Sequence, residues 1–313
     1  MTLPLSPPIA PQLARGRPEL PGDDGWAYEP KFDGFRALAF VDGAEVALQS
    51  RAGRPLERYF PELSFPAGRY VLDGEIVIDG AGGLQDFDAL SQRIHPAASR
   101  IEKLSVQTPA RFVAFDLLAR EDEVLMERPF EERRAALEAL VSAPVDLAPL
   151  VRSVADAEGW LHSAEGVVAK RLDAAYAPGK RTAMVKVKRL RTSDCVVVGW
   201  RPGKEEGTVG SLILGLYDGE ELVVVGHTSG IRPAEKRALR ERLAPYETGE
   251  RGSADASRWK SDKELEWIAL RPELVVEIAW EQVSGRRIRH GTKLLRWRDD
   301  KPPRECTIDQ LAG

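Results

Sequence analysis

An α+β domain followed by a small β-barrel is the fold class this sequence predicts, and three observations carry it. Between residues 25 and 190, short alternating or apolar runs bounded by turn residues are interleaved with helical patterns, a mixture that reads as α+β. After Arg191 the helical patterns thin to one, and glycine punctuates nearly every apolar run. Six of the first 25 residues are proline (4, 7, 8, 11, 18 and 21), which predicts an extended lead-in. The change of texture places a boundary near residues 190–193, giving domains at 1–191 (lead-in 1–25) and 192–313.

In the first domain, "FRALAFVDG", "EVALQSR", "YVLDGEIVIDG", "ARFVAFDLLA", "EGVVAKRL" and "AMVKVKRL" predict strands, since turn residues bound most of them. "LQDFDALSQRI" and "RPFEERRAALEALV" predict helices. In the second of these, Pro129 suits a first turn while Phe130, Leu137 and Val141 share a face. In the second domain, "DCVVVGWRPG", "GSLILGLYDG", "ELVVVGHTSG" and "LVVEIAWEQV" predict strands and "PAEKRALRERL" a helix. Short strands with glycine punctuation point to an OB-fold as the barrel type.

Bulk properties set limits. A chain of 313 residues can bury two ordinary cores, and 43% hydrophobic with 30% charged residues describes a soluble globular protein. No window approaches the roughly 18 apolar residues of a membrane span, and the start lacks a signal peptide's charged and apolar regions; a cytoplasmic protein with no membrane partner is expected. Cys195 and Cys306 are too few for a four-ligand zinc cluster or a disulfide framework. The net charge of −4 argues against a nucleic-acid coat. Its distribution is uneven: residues 170–191 carry eight Lys and Arg against Asp173, and residues 286–304 eight against Asp299 and Asp300. Two such blocks suit local phosphate-facing surfaces, with ordinary solvated faces as the alternative.

Period two makes side-chain direction legible. In "MVKVK", Lys186 and Lys188 point away from Val185 and Val187, and in "LDGEIV", Asp73 and Glu75 point away from Leu72 and Ile76. Several strands with one apolar and one charged side imply a charged groove. The stretch "YEPKFDGFRA" (28–37) adds a strand end, a turn at Gly34 and a new strand from Phe35, with Lys31 two residues before Asp33. An amine is a nucleophile only when deprotonated, and neighbouring cations favour that form. Arg36, Lys186 and Lys188, converging on Lys31, would supply them and would stabilise a phosphate losing its leaving group. Glu75 and Glu165 offer hard oxygens for Mg²⁺. The inventory fits attack by lysine on a nucleotide phosphate, with pyrophosphate leaving.

The ordered set "KFDGFR" (31–36), "SRAG" (50–53), "LDGEIV" (72–77), "FVAFDLL" (112–118), "EGVVAKR" (165–171), "VKVKR" (185–189) and "RHGTKLLRWRDDKPP" (289–303) resembles the motifs of covalent nucleotidyltransferases, specifically ATP-dependent DNA ligases. Within them it resembles the small bacterial LigC and LigD type, nearer the stand-alone LigC kind. The match runs from about residue 25 to the C-terminus. The resemblance implies an adenylation (nucleotidyltransferase, ATP-grasp-like) domain followed by a C-terminal OB-fold, with a hinge near Leu190 to Ser193.

It also implies roles. Lys31 would carry AMP covalently, and Asp33 would hold the loop or take part in the chemistry. Glu29 would read the adenine amino group, and Phe115 would stack on the base, with core packing as its alternative. Arg36 and Arg51 would contact ribose or phosphate, Glu75 ribose and metal, and Glu165 the metal. Lys186 and Lys188 would contact the α-phosphate, and Arg298 and Lys301, with Arg296 nearby, the leaving pyrophosphate. ATP with Mg²⁺ or Mn²⁺ is the implied cofactor set. Nicked duplex DNA is the implied partner, with a repair polymerase or end-binding protein beside it, and the implied setting is a monomer at a bacterial nucleoid. An RNA ligase, a capping-type guanylyltransferase and a non-catalytic DNA-binding module are the rival readings. The chain departs from its bacterial relatives at Met184, where they commonly carry tryptophan.

Overall fold

The computed structural model describes residues 2–22, 24–80, 85–188, 191–253, 266–290 and 292–311. The chain divides into two compact units, Met1–Arg189 and Leu190–Gly313; the expected hinge at 190–193 falls partly outside the described residues.

The strands of the first unit are β1 Arg15–Gly16, β2 Trp26–Pro30, β3 Phe35–Asp42, β4 Glu45–Ser50, β5 Arg69–Val77, β6 Arg111–Arg120, β7 Glu123–Val124, β8 Asp146–Leu147, β9 Gly166–Arg171 and β10 Met184–Lys188. Its helices are α1 Phe87–Ser91, α2 Ala98–Gln107, α3 Phe130–Leu140, α4 Val154–Glu158 and α5 Trp160–Ser163. Among the described residues they form two sheets, ordered β4-β3-β5-β6-β7 with β8 beside β6, and β1-β10-β9-β2.

Alternation decides which face of each sheet packs. Leu72 and Ile76 of β5 join Phe112, Ala114 and Leu117 of β6 and Leu137 of α3 in the main core. In the second sheet Tyr28, Val167, Ala169 and Val185 pack on Ala157 and Trp160 of the short helices. The intervening positions, Glu29, Val168, Lys170, Lys186 and Lys188, therefore share the opposite face and line a pocket there. β6 carries a bulge at the functional end: Asp73 pairs with Asp116 and Gly74 with Ala114, so Phe115 is the extra residue. A bulge re-aims its side chain, and the Phe115 ring turns into the pocket.

Residues 2–22 are extended but not detached. β1 pairs in parallel with β10, and the buried Gln12 side chain donates to the Thr182 carbonyl at 2.8 Å. Of the two expected helices, α3 is present. α1 covers only part of 84–94, and Leu84 lies outside the described residues. Beyond α1, Arg93 is fully buried against the Glu62 carboxylate at 2.6 and 2.8 Å, a tertiary demand that a local pattern does not reveal. α2 was not expected: its packed face is narrow, burying only Ile101 and leaving Val106 82% exposed.

The second unit holds β11 Arg191–Pro202, β12 Val209–Asp218, β13 Glu221–Thr228, α6 Lys236–Leu243, β14 Glu247–Ser253, β15 Glu266–Leu270, β16 Val275–Trp280, β17 Gln282–Ser284, β18 Arg287–His290 and β19 Lys293–Trp297. β11 pairs with β16 from Arg191 to Val196, then with β15 at Gly199 and Trp200, while β12 takes its other edge. One strand serving two neighbours in succession, with an irregularity between Val197 and Gly199, curls the sheet in the manner of an OB-fold. β14, β15, β18 and β19 were not expected, and β17 overlaps the end of the expected run "LVVEIAWEQV"; β19, "KLLRW", exposes Leu295 and has no clean alternation, so pairing with β16 establishes it. Cys195 and Cys306 are free and buried in this core. No described helix is long and apolar enough to cross a membrane.

Candidate active site

A pocket of about 430 Å³ lies between the two sheets of the first unit, within the range of small-molecule sites. Lys31 follows the last residue of β2, and its backbone N–H donates to the Gly166 carbonyl at 2.9 Å. That contact needs glycine at 166: φ is +132°, and a Cβ there would come within 2.2 Å of the Val187 oxygen. Gly34 meets a similar limit, since its Cβ would lie 2.2 Å from the Ile76 oxygen and 2.8 Å from Glu75 Cγ. The turn after Lys31 is thereby pressed onto β5. Lys31 Nζ donates to the Phe32 carbonyl at 3.3 Å.

Glu29 enters from β2, with Val168 and Lys186 in register beside it on β9 and β10. Glu29 is 3% exposed. Its carboxylate meets Lys170 Nζ at 2.8 Å and Arg134 Nη1 at 3.3 Å. Burial pushes this carboxyl above its ordinary range, against the pull of Lys170 and then Arg134.

Arg36 and Glu75 are directly paired across β3 and β5. The Arg36 guanidinium nevertheless turns to Asp73, at 2.9 and 2.5 Å, and lies 5.1 Å from the Phe115 ring centroid. Tyr176 also donates to Asp73, at 2.6 Å, while accepting from the Gln12 N–H at 3.0 Å. Glu75 is left on the pocket wall, where burial pushes its carboxyl up to about 7 despite Arg36 and Lys31. Lys186, Lys188 and Arg51 complete the ring of cations.

Of the expected site residues, Lys31, Glu29, Arg36 and Arg51 line this pocket together with Glu75, Phe115, Lys186 and Lys188. Asp33 and Glu165 are half-buried and do not line it; Glu165 directly precedes Gly166. Arg298 and Lys301 belong to the second unit, where Asp194 receives Arg298 Nη1 at 2.9 Å and Lys301 Nζ at 3.1 Å. Arg298 also grips Asp300 at 2.9 and 2.8 Å.

Sequence reasoning overlooked Lys170, Arg134, Tyr176 and the lead-in residues Leu13, Ala14 and Gly16, which reach the pocket wall. Lys170 shares the parity of Val168 and so the pocket face, but in the sequence it stands among a block of charges that suits phosphate. Met184, the chain's departure from the family pattern, is buried and lines the pocket.

Among the described residues no group of three or more His, Cys, Asp or Glu side chains is placed to hold a metal ion. That is compatible with Mg²⁺, which is typically held by one or two carboxylates, phosphate oxygens and water, and Glu75 offers such a carboxylate in the pocket.

Comparison with known proteins matches residues 19–188 to the family described as ATP dependent DNA ligase domain, and residues 205–301 to ATP dependent DNA ligase C terminal region. The chain is similar to DNA ligase C1 of Mycolicibacterium smegmatis, at 47% identity over 99% of this chain and 96% of that protein. It is similar to the multifunctional non-homologous end joining DNA repair protein LigD of Mycobacterium tuberculosis, at 32% identity over 90% of this chain and 37% of that protein. The crystal structure of the ligase domain from M. tuberculosis LigD superposes with a TM-score of 0.55 at 31% identity, covering 96% of this chain and 98% of that one.

Proposed function

This chain belongs to the ATP-dependent DNA ligase family and is an enzyme that uses ATP to join DNA, and within that activity we propose that Lys31 is the covalent carrier of adenylate. The observation that carries the proposal is the company of Lys31 in one pocket: a carboxylate at Glu29, an aromatic at Phe115, and the cations Arg36, Lys186 and Lys188. Glu29 reads the adenine edge, and Phe115 stacks on the base, with Met184 and Val168 as further wall. Lys31 Nζ attacks the α-phosphorus, the bond to pyrophosphate breaks, and the amine's proton leaves to solvent. The lysyl adenylate then passes AMP to the 5′-phosphate of a nick. Last, the 3′-hydroxyl displaces AMP and closes the strand.

Each step is an in-line displacement at phosphorus, where positioning and charge provide most of the acceleration. Lys186 and Lys188 stabilise the charge gathering on the α-phosphate, Arg36 and Arg51 hold ribose and phosphates, and Asp33 keeps the Lys31 loop in shape. Glu75, with Glu165 behind Gly166, would hold Mg²⁺ or Mn²⁺, which when bound neutralises phosphate charge. Arg298 and Lys301 would exchange Asp194 for the leaving pyrophosphate, and the nick would be held through phosphate contacts with little base reading. Exposed pairs such as Arg304 with Glu220 at 2.9 Å and Arg286 with Asp218 at 2.6 Å are weak in water and can yield to phosphates. A repair role accords with the similarity to LigD. The relatives are DNA ligases, which disfavours the RNA-ligase and guanylyltransferase readings.

The test is incubation with α-labelled ATP and magnesium. Acid-labile label should appear on the wild-type chain and be absent from Lys31→Arg; a folded wild-type protein that takes no label rejects Lys31 as the carrier.

A further inference from the structure

A single ammonium group ties together the two residues assigned to the base. Lys170 lies on the pocket face of β9, in register with Ala27 of β2 and Met184 of β10. Its Nζ is 2.8 Å from Glu29 Oε2 and donates to the Phe115 carbonyl at 2.9 Å. It sits 4.6 Å from the ring centroids of both Phe115 and Phe130. The second Glu29 oxygen faces Arg134, itself fixed by the Ala148 carbonyl at 2.8 Å and by Glu138 at 2.7 Å. Lys170 and Arg134 are each 6% exposed. An isolated carboxyl buried to this depth would take up a proton; Lys170 first and then Arg134 oppose that uptake, and an ionised carboxylate can only accept hydrogen bonds.

We propose that Lys170 determines the purine specificity of the pocket. By holding Glu29 as an acceptor-only carboxylate in fixed relation to Phe115, it admits a 6-amino purine and rejects a 6-oxo purine. The proposal rests on the assignment of Glu29 to the base edge. Adenine presents N–H donors at position 6, whereas hypoxanthine and guanine present an oxygen that a carboxylate repels. Without the ammonium, a protonated Glu29 becomes a donor, and the penalty on the 6-oxo purine falls. Sites built around one polar pairing discriminate strongly because the wrong partner leaves buried groups unmatched.

The experiment compares Lys31 labelling in the full chain from ATP and from inosine triphosphate, in which an oxo group replaces the 6-amino group and N1 carries a hydrogen. Lys170→Met should lower the ATP-to-inosine-triphosphate ratio of kcat/KM by about tenfold or more, chiefly through KM for ATP, while Lys170→Arg should keep the ratio near wild type. Lys170→Gln, a neutral donor of similar length, replaces the methionine variant if that one does not fold. Glu29→Gln, whose amide can donate to a 6-oxo group, should collapse the ratio. A wild-type ratio in Lys170→Met or Lys170→Gln beside a collapsed one in Glu29→Gln overturns the role of Lys170. A wild-type ratio in Glu29→Gln removes instead the assignment of Glu29 to the base.

Discussion

Arg36 passes over its cross-strand neighbour Glu75 and clasps Asp73, two residues along β5, through two guanidinium nitrogens at 2.9 and 2.5 Å. This diagonal pairing shapes the pocket. It aligns the guanidinium with the Phe115 ring and leaves the Glu75 carboxylate on the wall facing the cavity.

Asp73→Asn should therefore harm both fold and function. Asp73 is fully buried, and removing one member of a buried pair strands the other at roughly 3 kcal/mol. Adenylylation should weaken mainly through KM for ATP. Tyr176→Phe, which removes one hydrogen bond to Asp73, should lose about 1 kcal/mol in urea unfolding and show a smaller change of KM in the same direction.

Glu75→Gln should raise stability at alkaline pH. The folded-state value of about 7 stands above the ordinary 4.5, so the folded chain binds more protons than the unfolded chain between these values. Stability from the neutral carboxyl is thus full below about pH 4.5 and is lost as pH rises through about 7. Glutamine stays neutral throughout. Full linkage for this shift is about 3 kcal/mol, and roughly half of that is expected because the carboxyl faces an open pocket. Melting curves at pH 8 and pH 5 should show a higher Tm for the variant at pH 8 and little difference at pH 5, together with loss of adenylylation.

Gly34→Ala should be poorly tolerated even though alanine suits the backbone. The added Cβ would press to 2.2 Å from the Ile76 oxygen, forcing β3 from β5 or displacing the Lys31 turn. A loss on the order of 3 kcal/mol is expected, and label incorporation should fall even below the melting temperature. Wild-type labelling in this variant would show that the close approach is dispensable.

Lys186→Ala and Lys188→Ala should each slow adenylylation by about 10²- to 10³-fold with little change in Tm, since both side chains are only half-buried on the pocket face. Single-turnover labelling separates this from weakened ATP binding. A loss confined to KM would point to ground-state contact instead.

Much of this arrangement could be seen in one dimension. Period-two alternation in "MVKVK" and "LDGEIV" set Lys186 and Lys188 on the face opposite Val185 and Val187, and Asp73 and Glu75 on the face opposite Leu72 and Ile76, because successive side chains of a strand alternate between its two faces; that Asp73 is fully buried there was not legible. Glycine punctuation after Arg191 marked the curled sheet for a similar reason, since short strands need sharp reversals. The rest depends on contacts between residues far apart in the chain. The Phe115 bulge arises from the register of β6 against β5, and Lys170 meets Glu29 across more than a hundred residues of sequence. The Gln12, Tyr176 and Asp73 chain likewise joins the lead-in to the pocket. A charged residue that pairs across a core looks, in the sequence, like any solvated charge. Only the packing that removes its water shows whether it binds a ligand, holds a neighbour or faces solvent.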